Sequence, residues 1–480
     1  MQRHFVLGLF LAVSLTMAAC GDSGTTPQKD AGTTDTNIQL DALPPSDASQ
    51  ADAKPDGGQK PDSFANAAAI TLNDTNGKSG SISPAGTVNY YKFEGTAGTW
   101  MFLYTDANPN DDPTMVDTVI QLFDSSQTMI AENDDAVPRV NTDSEIMIKL
   151  PSTGTYYVTV QEFSTWAGDP PKGGPTFIYK LFAIQPDAVP GVVEETEPND
   201  TVGAATPMTY LSSATATAKG AFILGSFASG TDVDIYKFTV PAIPDGGVGT
   251  MWNVSFDIMP AGVNGYGATN PVGEAYITDA TGATTIAKID NSITKAPFEL
   301  QPPLAAGDYL LYVKHPAAAA GANDFYVIKH NMFAQDNPVE AEGTATGVND
   351  TLATAQALTL AATGTGSNAA FILASLPAGD AADYFKINVA NATDVISLVC
   401  GAARNGSGMT GLNVSVHKAD DTVVTGGTAT EVLTDDLRIN NLAVGAAGDY
   451  YIKLTPGTQA AGVTSSFVRC GFYVSPPPAP

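Results

Sequence analysis

Six acidic and amide side chains stand out because their types and spacing suit the binding of a metal ion. Four of them lie within six residues, and the other two alternate directly before a predicted strand. They are Glu195, Glu197, Asn199, Asp200, Asp232 and Asp234. Calcium takes roughly six to eight oxygen ligands from carboxylates, amides, backbone carbonyls and water. In an extended segment, residues 195, 197 and 199 point to one face. The alternative is a solvated acidic linker followed by a polar turn.

A related set occurs later in the chain with a different spacing. It comprises Glu340, Glu342, Asn349, Asp350, Asp380 and Asp383. Six residues separate Glu342 from Asn349, whereas only Pro198 separates Glu197 from Asn199. A calcium site in this later region would therefore need a different geometry.

Sequence motifs for hydrolysis or phosphate binding are not found. The chain has no His-Glu-x-x-His, Gly-x-Ser-x-Gly or P-loop pattern. His315 and His330 each follow a lysine at the end of a predicted strand, so we expect both to be solvated, and His417 is expected to face outward. A pair of catalytic carboxylates stays open because acids are abundant. The sequence favours a protein that is not an enzyme.

The tryptophans have two interpretations. Large aromatic side chains usually pack in cores or against strand edges, and this is the interpretation that we prefer. The alternative is a surface that binds sugar or peptide. The residues are Trp100, Trp166 and Trp252.

The charge balance excludes whole classes of partner. The 480 residues include 50 Asp and Glu but only 22 Lys and Arg, which gives a formal net charge of −28. Nucleic-acid binding requires clustered cations, and attraction to an anionic membrane surface requires a basic patch. Neither is available here. With 43% hydrophobic residues the chain can still bury several cores.

The N-terminus predicts export. A short basic start, an apolar run over residues 5–15 and small residues before Cys20 form a signal peptide over residues 1–19. The segment resembles the bacterial lipoprotein box, although Met17 stands where that family usually has leucine. The resemblance implies that the Cys20 thiol is acylated. Gly21 rather than aspartate follows it, which implies lipid anchoring in the outer membrane, facing the periplasm or the cell surface. The alternative is an ordinary signal peptide with a chance cysteine.

Residues 20–62 predict a disordered acidic tether. The stretch after Cys20 is rich in Gly, Ser, Thr, Asp and Pro, with eight Asp and three Lys and almost no aliphatic residues. Such a segment cannot bury enough apolar surface to offset its ordering entropy.

After the tether the chain repeats itself three times. One phrase begins at Asn89, Asp234 and Asp383 and reads Asn-Tyr-Tyr-Lys-Phe, Asp-Ile-Tyr-Lys-Phe and Asp-Tyr-Phe-Lys-Ile; its copies start 145 and 149 residues apart. A second phrase follows each copy, from Gly154, Gly307 and Gly448. Such a period is the size of a domain. We therefore predict three domains, over residues 63–188, 192–335 and 337–476.

Each domain is expected to be all-β. Short runs of β-branched and aromatic residues, such as residues 119–123 and 146–150, are separated by turn signals such as 151–154. Short strands at roughly ten-residue spacing predict antiparallel β-sandwiches.

These phrases resemble the bacterial pre-peptidase C-terminal domain, a jelly-roll-like sandwich related to the collagen-binding modules of clostridial collagenases. The first copy is similar over its centre, in residues 117–124, 131–135, 143–146 and 150–158. The second copy is similar at its opening, in residues 195–200 and 230–238. The resemblance implies three tandem jelly-roll-like domains. It also implies that the acidic opening and the strand-entry aspartates of the second copy meet and hold Ca²⁺.

The first copy lacks the acidic opening, and Asn89 replaces the strand-entry aspartate. A calcium site there would need other residues, which could equally be turn formers. They are Asp117, Asn133, Asp134 and Asp135.

Two cysteines remain after the signal peptide, Cys400 and Cys470. In an exported chain the two could form a disulfide, which requires a Cα separation of about 4.4–6.8 Å. The alternative is two buried free thiols.

Together these features predict a non-enzymatic envelope lipoprotein. It would display calcium-stabilised β-sandwich modules that bind extracellular protein or polysaccharide. The alternative is an accessory or inhibitor-like subunit that docks on a secreted or envelope peptidase. A cryptic hydrolase is the third and weakest hypothesis.

Overall fold

The computed structural model describes residues 64–477, except 108–114, 135–142, 186–190, 211–217, 243–250, 259–271, 291–297, 316–324, 336–339, 341–347, 364–366, 377–378, 433–436 and 465. The signal peptide, Cys20, the tether, Asp135 and Glu342 lie outside the described residues. In the part that is described, no helix is long and apolar enough to cross a membrane.

The predicted all-β fold class is confirmed, because strands dominate and most of them pair antiparallel. The strands fall into three groups, here called modules 1, 2 and 3, and each group forms two main sheets. We call the sheet that contains both recurring phrases the front sheet, and the other the back sheet.

Module 1 has the front-sheet order β1-β3-β8-β5-β6 and the back-sheet order β2-β9-β4-β7. Its described strands are β1 (Ala68–Ala69), β2 (Lys78–Ser81), β3 (Asn89–Gly95), β4 (Trp100–Asp106), β5 (Thr118–Phe123), β6 (Met129–Asn133), β7 (Glu145–Lys149), β8 (Gly154–Glu162) and β9 (Ile178–Ile184). One short helix, α1 (Phe163–Ala167), follows β8.

Module 2 has the front-sheet order β11-β13-β19-β15-β16 and the back-sheet order β10-β12-β20-β14-β17, with β18 also paired to β14. Its described strands are β10 (Val192–Glu194), β11 (Thr206–Pro207), β12 (Ala218–Ser226), β13 (Val233–Val240), β14 (Met251–Ile258), β15 (Glu274–Asp279), β16 (Thr285–Asp290), β17 (Phe298–Leu300), β18 (Pro303–Leu304), β19 (Gly307–Lys314) and β20 (Phe325–Gln335). A 3₁₀ turn spans Val202–Ala204.

Module 3 has the front-sheet order β21-β24-β30-β27-β28 and the back-sheet order β22-β23-β32-β25-β29, while β26 pairs with β31. Its described strands are β21 (Gln356–Ala357), β22 (Ala361–Ala362), β23 (Asn368–Ser375), β24 (Asp383–Val389), β25 (Val395–Gly401), β26 (Met409–Thr410), β27 (Asn413–His417), β28 (Val423–Thr430), β29 (Leu437–Ala443), β30 (Gly448–Thr455), β31 (Thr458–Gln459) and β32 (Phe467–Ser475). Two 3₁₀ turns span Leu352–Thr354 and Ala403–Asn405.

The recurring phrases are the central antiparallel pair of each front sheet. In module 1 the pairing ends with Gly95 opposite Gly154, and Val240 opposite Gly307 and Val389 opposite Gly448 end it in modules 2 and 3. Alternate residues of these strands point into the core. The repetition of the phrases therefore reflects the same strand pair built three times.

Modules 1 and 2 pack through their back sheets. Trp100 contacts Phe325 with ring centroids 5.4 Å apart, and Phe102 lies 6.1 Å from Phe222. Phe325 and Val327 belong to the core of module 1 although they lie in module 2. Strand β20 is thus buried on both faces, which explains why residues 325–328 are continuously apolar.

An ion pair crosses the same interface. The Lys329 ammonium of module 2 contacts the Glu145 carboxylate of module 1, and their side chains are only 8% and 2% exposed. At the edge of the interface the Trp100 indole N–H donates to Glu194 Oε1 at 3.1 Å. The interface therefore combines an apolar, aromatic centre with a buried charge pair.

Modules 2 and 3 meet through backbone hydrogen bonds. Lys288 N donates to Gly406 O at 2.8 Å, and Gln301 N donates to Asn405 O at 2.9 Å. Arg469 Nε donates to Gln301 O at 3.0 Å. Neighbouring modules are therefore joined by direct contacts between their folded parts.

Candidate metal centre

The acidic opening of module 2 lies against the entry to its central strand. The opening follows β10, and Glu195 N donates to Leu224 O at 3.0 Å, which continues the pairing of β10 with β12. This pairing brings residues 195–200 beside Asp232 and Asp234 at the start of β13. The two predicted clusters, about 35 residues apart in sequence, are adjacent in the fold.

Two groups of three carboxylates form there. Their ligand oxygens lie within 4.8 Å of one another in each group. One group is Glu195, Glu197 and Asp234, and the other is Glu197, Asp200 and Asp232. Glu197 belongs to both groups, so it can bridge two adjacent positions for a cation.

Three buried oxygens of this cluster have no hydrogen-bond partner among the described residues: Glu195 Oε2, Asn199 Oδ1 and Asp234 Oδ1. The other carboxylate oxygen of Glu195 and of Asp234 accepts a hydrogen bond. Glu195 Oε1 accepts from Ser226 Oγ at 2.8 Å, and Asp234 Oδ2 accepts from the Tyr326 hydroxyl at 2.6 Å. Asn199 and Asp234 are fully buried. A buried oxygen without a donor is costly, and a cation would satisfy all three.

Four acidic side chains of this cluster have raised pKa values. Burial, with the charge of neighbouring Glu195, raises the pKa of Asp234 to about 9. Burial is also the main reason that the pKa of Glu195 rises to about 7. The pKa values of Glu197 and Asp232 are raised as well, by burial and by neighbouring acids. Without a cation the folded cluster therefore holds protons that the separate acids would release.

Module 3 repeats most of this arrangement. Glu340 N donates to Leu373 O at 3.1 Å, and Glu340 Oε2 accepts from Ser375 N at 2.8 Å, as Glu195 accepts from Ser226. Asn349 Nδ2 donates to Glu340 Oε1 at 3.1 Å. A third carboxylate group, with oxygens within 4.8 Å, consists of Asp350, Asp380 and Asp383.

One support of the module 2 cluster is missing in module 3. In module 2, Tyr326, which donates to Asp234, lies opposite Gly225. In module 3 the corresponding cross-strand pair is Val468 opposite Ala374. A Cβ on Gly225 would lie 2.2 Å from the Tyr326 ring, so glycine makes room for this tyrosine. The two clusters therefore have carboxylates at similar places, but the tyrosine that donates to Asp234 in module 2 is replaced by a valine in module 3.

In module 1 the position that corresponds to Asp234 carries an uncharged side chain with a hydrogen-bond partner within the protein. Asn89 occupies the position of Asp234, and its Nδ2 donates to Ser81 O at 2.8 Å. In the alternative site, Asn133 Oδ1 accepts from Glu145 N at 2.8 Å. The His, Cys, Asp and Glu side chains that are described in module 1 form no cluster of three within metal-binding distance.

Cys400 and Cys470 are cross-strand neighbours on β25 and β32. Their sulfurs are 2.01 Å apart and form a disulfide that links residues 70 positions apart in the chain. Both residues are buried.

The expectation of solvated histidines is wrong for both strand ends. His315 is 7% exposed and packs against Phe227 at 5.0 Å, and His330 is fully buried against Phe256 at 4.1 Å. They belong to opposite sheets, so no shared metal site forms between them. Burial lowers the pKa of His330 to about 4, so it is neutral near pH 7.

His417 lies on the outer face of the module 3 front sheet in a hydrogen-bonded chain. Its Nε2 is 2.7 Å from Ser415 Oγ, and its Nδ1 is 2.9 Å from Asp421 Oδ1. This order of contacts matches a nucleophile, a base and an orienting acid. His417 is 7% exposed, whereas the Asp421 side chain is 60% exposed. No sequence motif pointed to these three residues.

The tryptophans differ from one another. Trp100 and Trp252 are 2% and 1% exposed and belong to the module cores, as expected. Trp166 in α1 is 38% exposed. Its indole N–H donates to Glu132 on β6, the edge strand of the front sheet, which agrees with the strand-edge part of the preferred interpretation.

Comparison with known families supports the resemblance read from the sequence. Residues 87–162 match the bacterial pre-peptidase C-terminal domain, so module 1 contains this domain. Modules 2 and 3 repeat the strand order of its front sheet. No curated protein sequence matches the chain significantly.

Solved structures resemble the chain only distantly. Tandem CBM51 modules of the family 98 glycoside hydrolase from Streptococcus pneumoniae are 11% identical, with 54% of this chain and 84% of that chain covered and a TM-score of 0.15. A putative secreted protein from Eubacterium rectale is 9% identical, with 58% and 85% covered and a TM-score of 0.16. The ANX1 ectodomain from Arabidopsis thaliana is 9% identical, with 63% and 95% covered and a TM-score of 0.18.

Proposed function

We propose that this protein, with a pre-peptidase C-terminal domain in its first module, is a non-enzymatic envelope lipoprotein whose β-sandwich modules bind extracellular protein or polysaccharide. Modules 2 and 3 hold calcium at their openings. The observation that carries the calcium proposal is the set of three buried, unpartnered oxygens on Glu195, Asn199 and Asp234.

The donor set favours calcium over softer metals. The cluster offers only carboxylate and amide oxygens, which are the ligands of hard cations, and it lacks the thiolate and imidazole groups that zinc prefers. Several carboxylates that are closer than 5 Å repel one another unless a cation or protons offset their charge. Calcium would therefore replace the protons that the cation-free cluster holds.

The place of the cluster suggests what calcium does. Residues 195–200 follow β10 of the back sheet of module 2, and Asp232 and Asp234 lead into the central strand β13 of its front sheet. A cation between them would tie the two sheets of module 2 together at this end. The back sheet also packs against module 1, so this tie would help the binding faces to keep fixed relative positions.

The experiment that tests the function is a binding array. The full mature chain would be applied to immobilised extracellular proteins and polysaccharides, with calcium or with EGTA. We expect retention by at least one ligand class, stronger with calcium where modules 2 and 3 take part. Binding to none, together with stoichiometric co-purification of an envelope peptidase, would favour the accessory-subunit alternative.

The non-enzymatic part of the proposal has its own test. A broad ester, peptide and glycoside hydrolysis screen should find no turnover by the purified chain. The chain of Ser415, His417 and Asp421 makes Ser415→Ala the matched control. Turnover that disappears in this variant would overturn the non-enzymatic assignment.

The lipid anchor gives a sharp prediction. Cys20→Ala should abolish incorporation of radiolabelled palmitate, because the variant lacks the thiol that is acylated, and should release the protein from the membrane fraction. Cys400→Ala is not a suitable control because it breaks the disulfide, so Ser23→Ala serves instead and should label like the parent. Undiminished labelling of Cys20→Ala would contradict lipoprotein status.

A further inference from the structure

We propose that the front sheet of module 1 carries a subsite for a neutral hexose polysaccharide, built on Trp166. This inference rests on the proposed function and deepens it, because it names the ligand class and places one contact point. The starting observation is that Trp166 is 38% exposed, while the other two tryptophans are buried.

The indole ring of Trp166 is held in place. Its Nε1 donates to Glu132 Oε2 at 2.9 Å, and its ring lies 5.5 Å from that of Phe163. Gln121 Nε2 donates to the same carboxylate oxygen. Glu132 is 7% exposed, so the bond to the indole is shielded from water. An aromatic ring that is fixed in the free protein loses little entropy when a ligand stacks on it.

The polar side chains beside the ring form a row across three strands. Thr159, Gln121 and Glu132 are direct cross-strand neighbours on β8, β5 and β6. Thr159 Oγ1 donates to Gln121 Oε1 at 3.1 Å. Thr159 and Glu132 are 2% and 7% exposed and hold Gln121 in place, so the partly exposed Gln121 amide is the group of this row that a ligand can reach.

This chemistry matches a sugar ring. A pyranose has one face of C–H groups, which stacks on an indole, and an edge of hydroxyl groups, which bond to amides and carboxylates. Small-molecule sites combine an apolar surface with a few polar groups in the same way. The carboxylate of Glu132 and the net charge of −28 oppose an acidic sugar. The ligand that fits is therefore neutral.

The subsite is particular to module 1. The corresponding row of module 2 carries Tyr312, Tyr276 and Lys288, and that of module 3 carries Lys453, Ser415 and Thr428. Tyr276 is covered by the Lys314 ammonium, 4.7 Å from its ring centre. The same strand positions therefore present different chemistry in each module.

Affinity electrophoresis of the full mature chain tests the proposal. The gels would contain laminarin, galactomannan or glucomannan as neutral hexose probes, and alginate as the anionic probe. We expect retardation by at least one neutral probe in EGTA as well as in calcium, because the calcium clusters lie in modules 2 and 3. Trp166→Ala should weaken it at least tenfold. Ile178→Ala, which removes a 57% exposed side chain on the back sheet of module 1, should leave it unchanged.

Two further variants distinguish stacking on the Trp166 ring from the orientation of that ring by Glu132. Trp166→Phe keeps an aromatic face but loses the N–H to Glu132, and Glu132→Leu leaves the indole without its acceptor. Both should weaken retardation less than Trp166→Ala, and Glu132→Leu, which keeps the indole, should increase acrylamide quenching or shift the emission of Trp166. Unchanged melting of Trp166→Ala would show that the fold is retained.

The outcomes distinguish this inference from the proposed function. Retardation that persists in Trp166→Ala would overturn the subsite but support polysaccharide binding elsewhere. Binding to alginate alone, or to immobilised proteins and no polysaccharide, would overturn the neutral-sugar inference while the binding function stands. Failure to bind any ligand would overturn both.

Discussion

Asp234→Asn is expected to remove the contribution of module 2 to the stabilisation of the protein by calcium and, without calcium, to make the protein more stable. The first effect follows because the variant loses a carboxylate that belongs to the cluster of Glu195, Glu197 and Asp234. The second follows because an amide does not ionise, whereas burial and the charge of Glu195 raise the pKa of Asp234 to about 9 and so penalise its ionised form in the folded protein. The variant places in module 2 the residue type that module 1 already has at Asn89.

The pH dependence has a defined sign. The pKa values of Glu195 and Asp234 rise from 4.5 and 3.8 to about 7 and about 9 on folding. Between the unfolded and folded values the native state binds more protons than the unfolded state. The contribution of these two acids to the stability of the calcium-free parent should therefore fall as pH rises from about 4 to about 9. The lowered pKa of His330 acts in the opposite direction below about pH 6.5, so the fall should be clearest above that pH. Calcium competes with the protons on the two acids, so its affinity should rise over the whole of that pH range.

Thermal melting in calcium and in EGTA, across this pH range, measures both effects. A ligand at 100 times its dissociation constant stabilises the native state by about 2.7 kcal/mol. Asp308→Asn is the matched control, because Asp308 is an exposed acid of module 2 that pairs with Lys237 at 3.4 Å. It changes the net charge equally and should keep the calcium response. Equal melting of the parent in calcium and EGTA would rule out the proposed site.

Lys329→Met should strongly destabilise the protein. It leaves the Glu145 carboxylate buried at the interface of modules 1 and 2 without the ammonium that it contacts. Removing one partner of a buried ion pair typically costs about 3–5 kcal/mol. The double variant Lys329→Met/Glu145→Leu should recover most of this loss, because two apolar side chains of similar size can replace such a pair.

Urea denaturation of the parent, both single variants and the double variant gives the coupling energy. Lys149→Met is the control at the same interface, since Lys149 pairs with Glu194 at 3.9 Å with both side chains partly exposed. Its loss should cost less than about 1 kcal/mol. If Lys329→Met and Lys149→Met cost the same, the two modules do not share a buried charge pair in solution.

The sequence predicted the parts of this protein that depend on local pattern. Period-two alternation and turn residues are local properties, so the all-β class and the threefold repeat could be recognised from the sequence, whereas the pairing of the phrases at Asn89 and Gly154 came from the structure. The acids of the module 2 opening were also recognisable, because calcium ligands are chemically specific. That they meet was implied only by family resemblance.

What covers each strand was decided by the tertiary structure. The apolar run over residues 325–328 indicates a buried strand, but it does not say that one face belongs to another module. The lysine that follows it, Lys329, looks like an exposed strand end until the Glu145 carboxylate is placed against it. His330 departs from its expected exposure for the same reason. Burial depends on contacts between residues that are distant in the chain, whereas alternation is carried by neighbours.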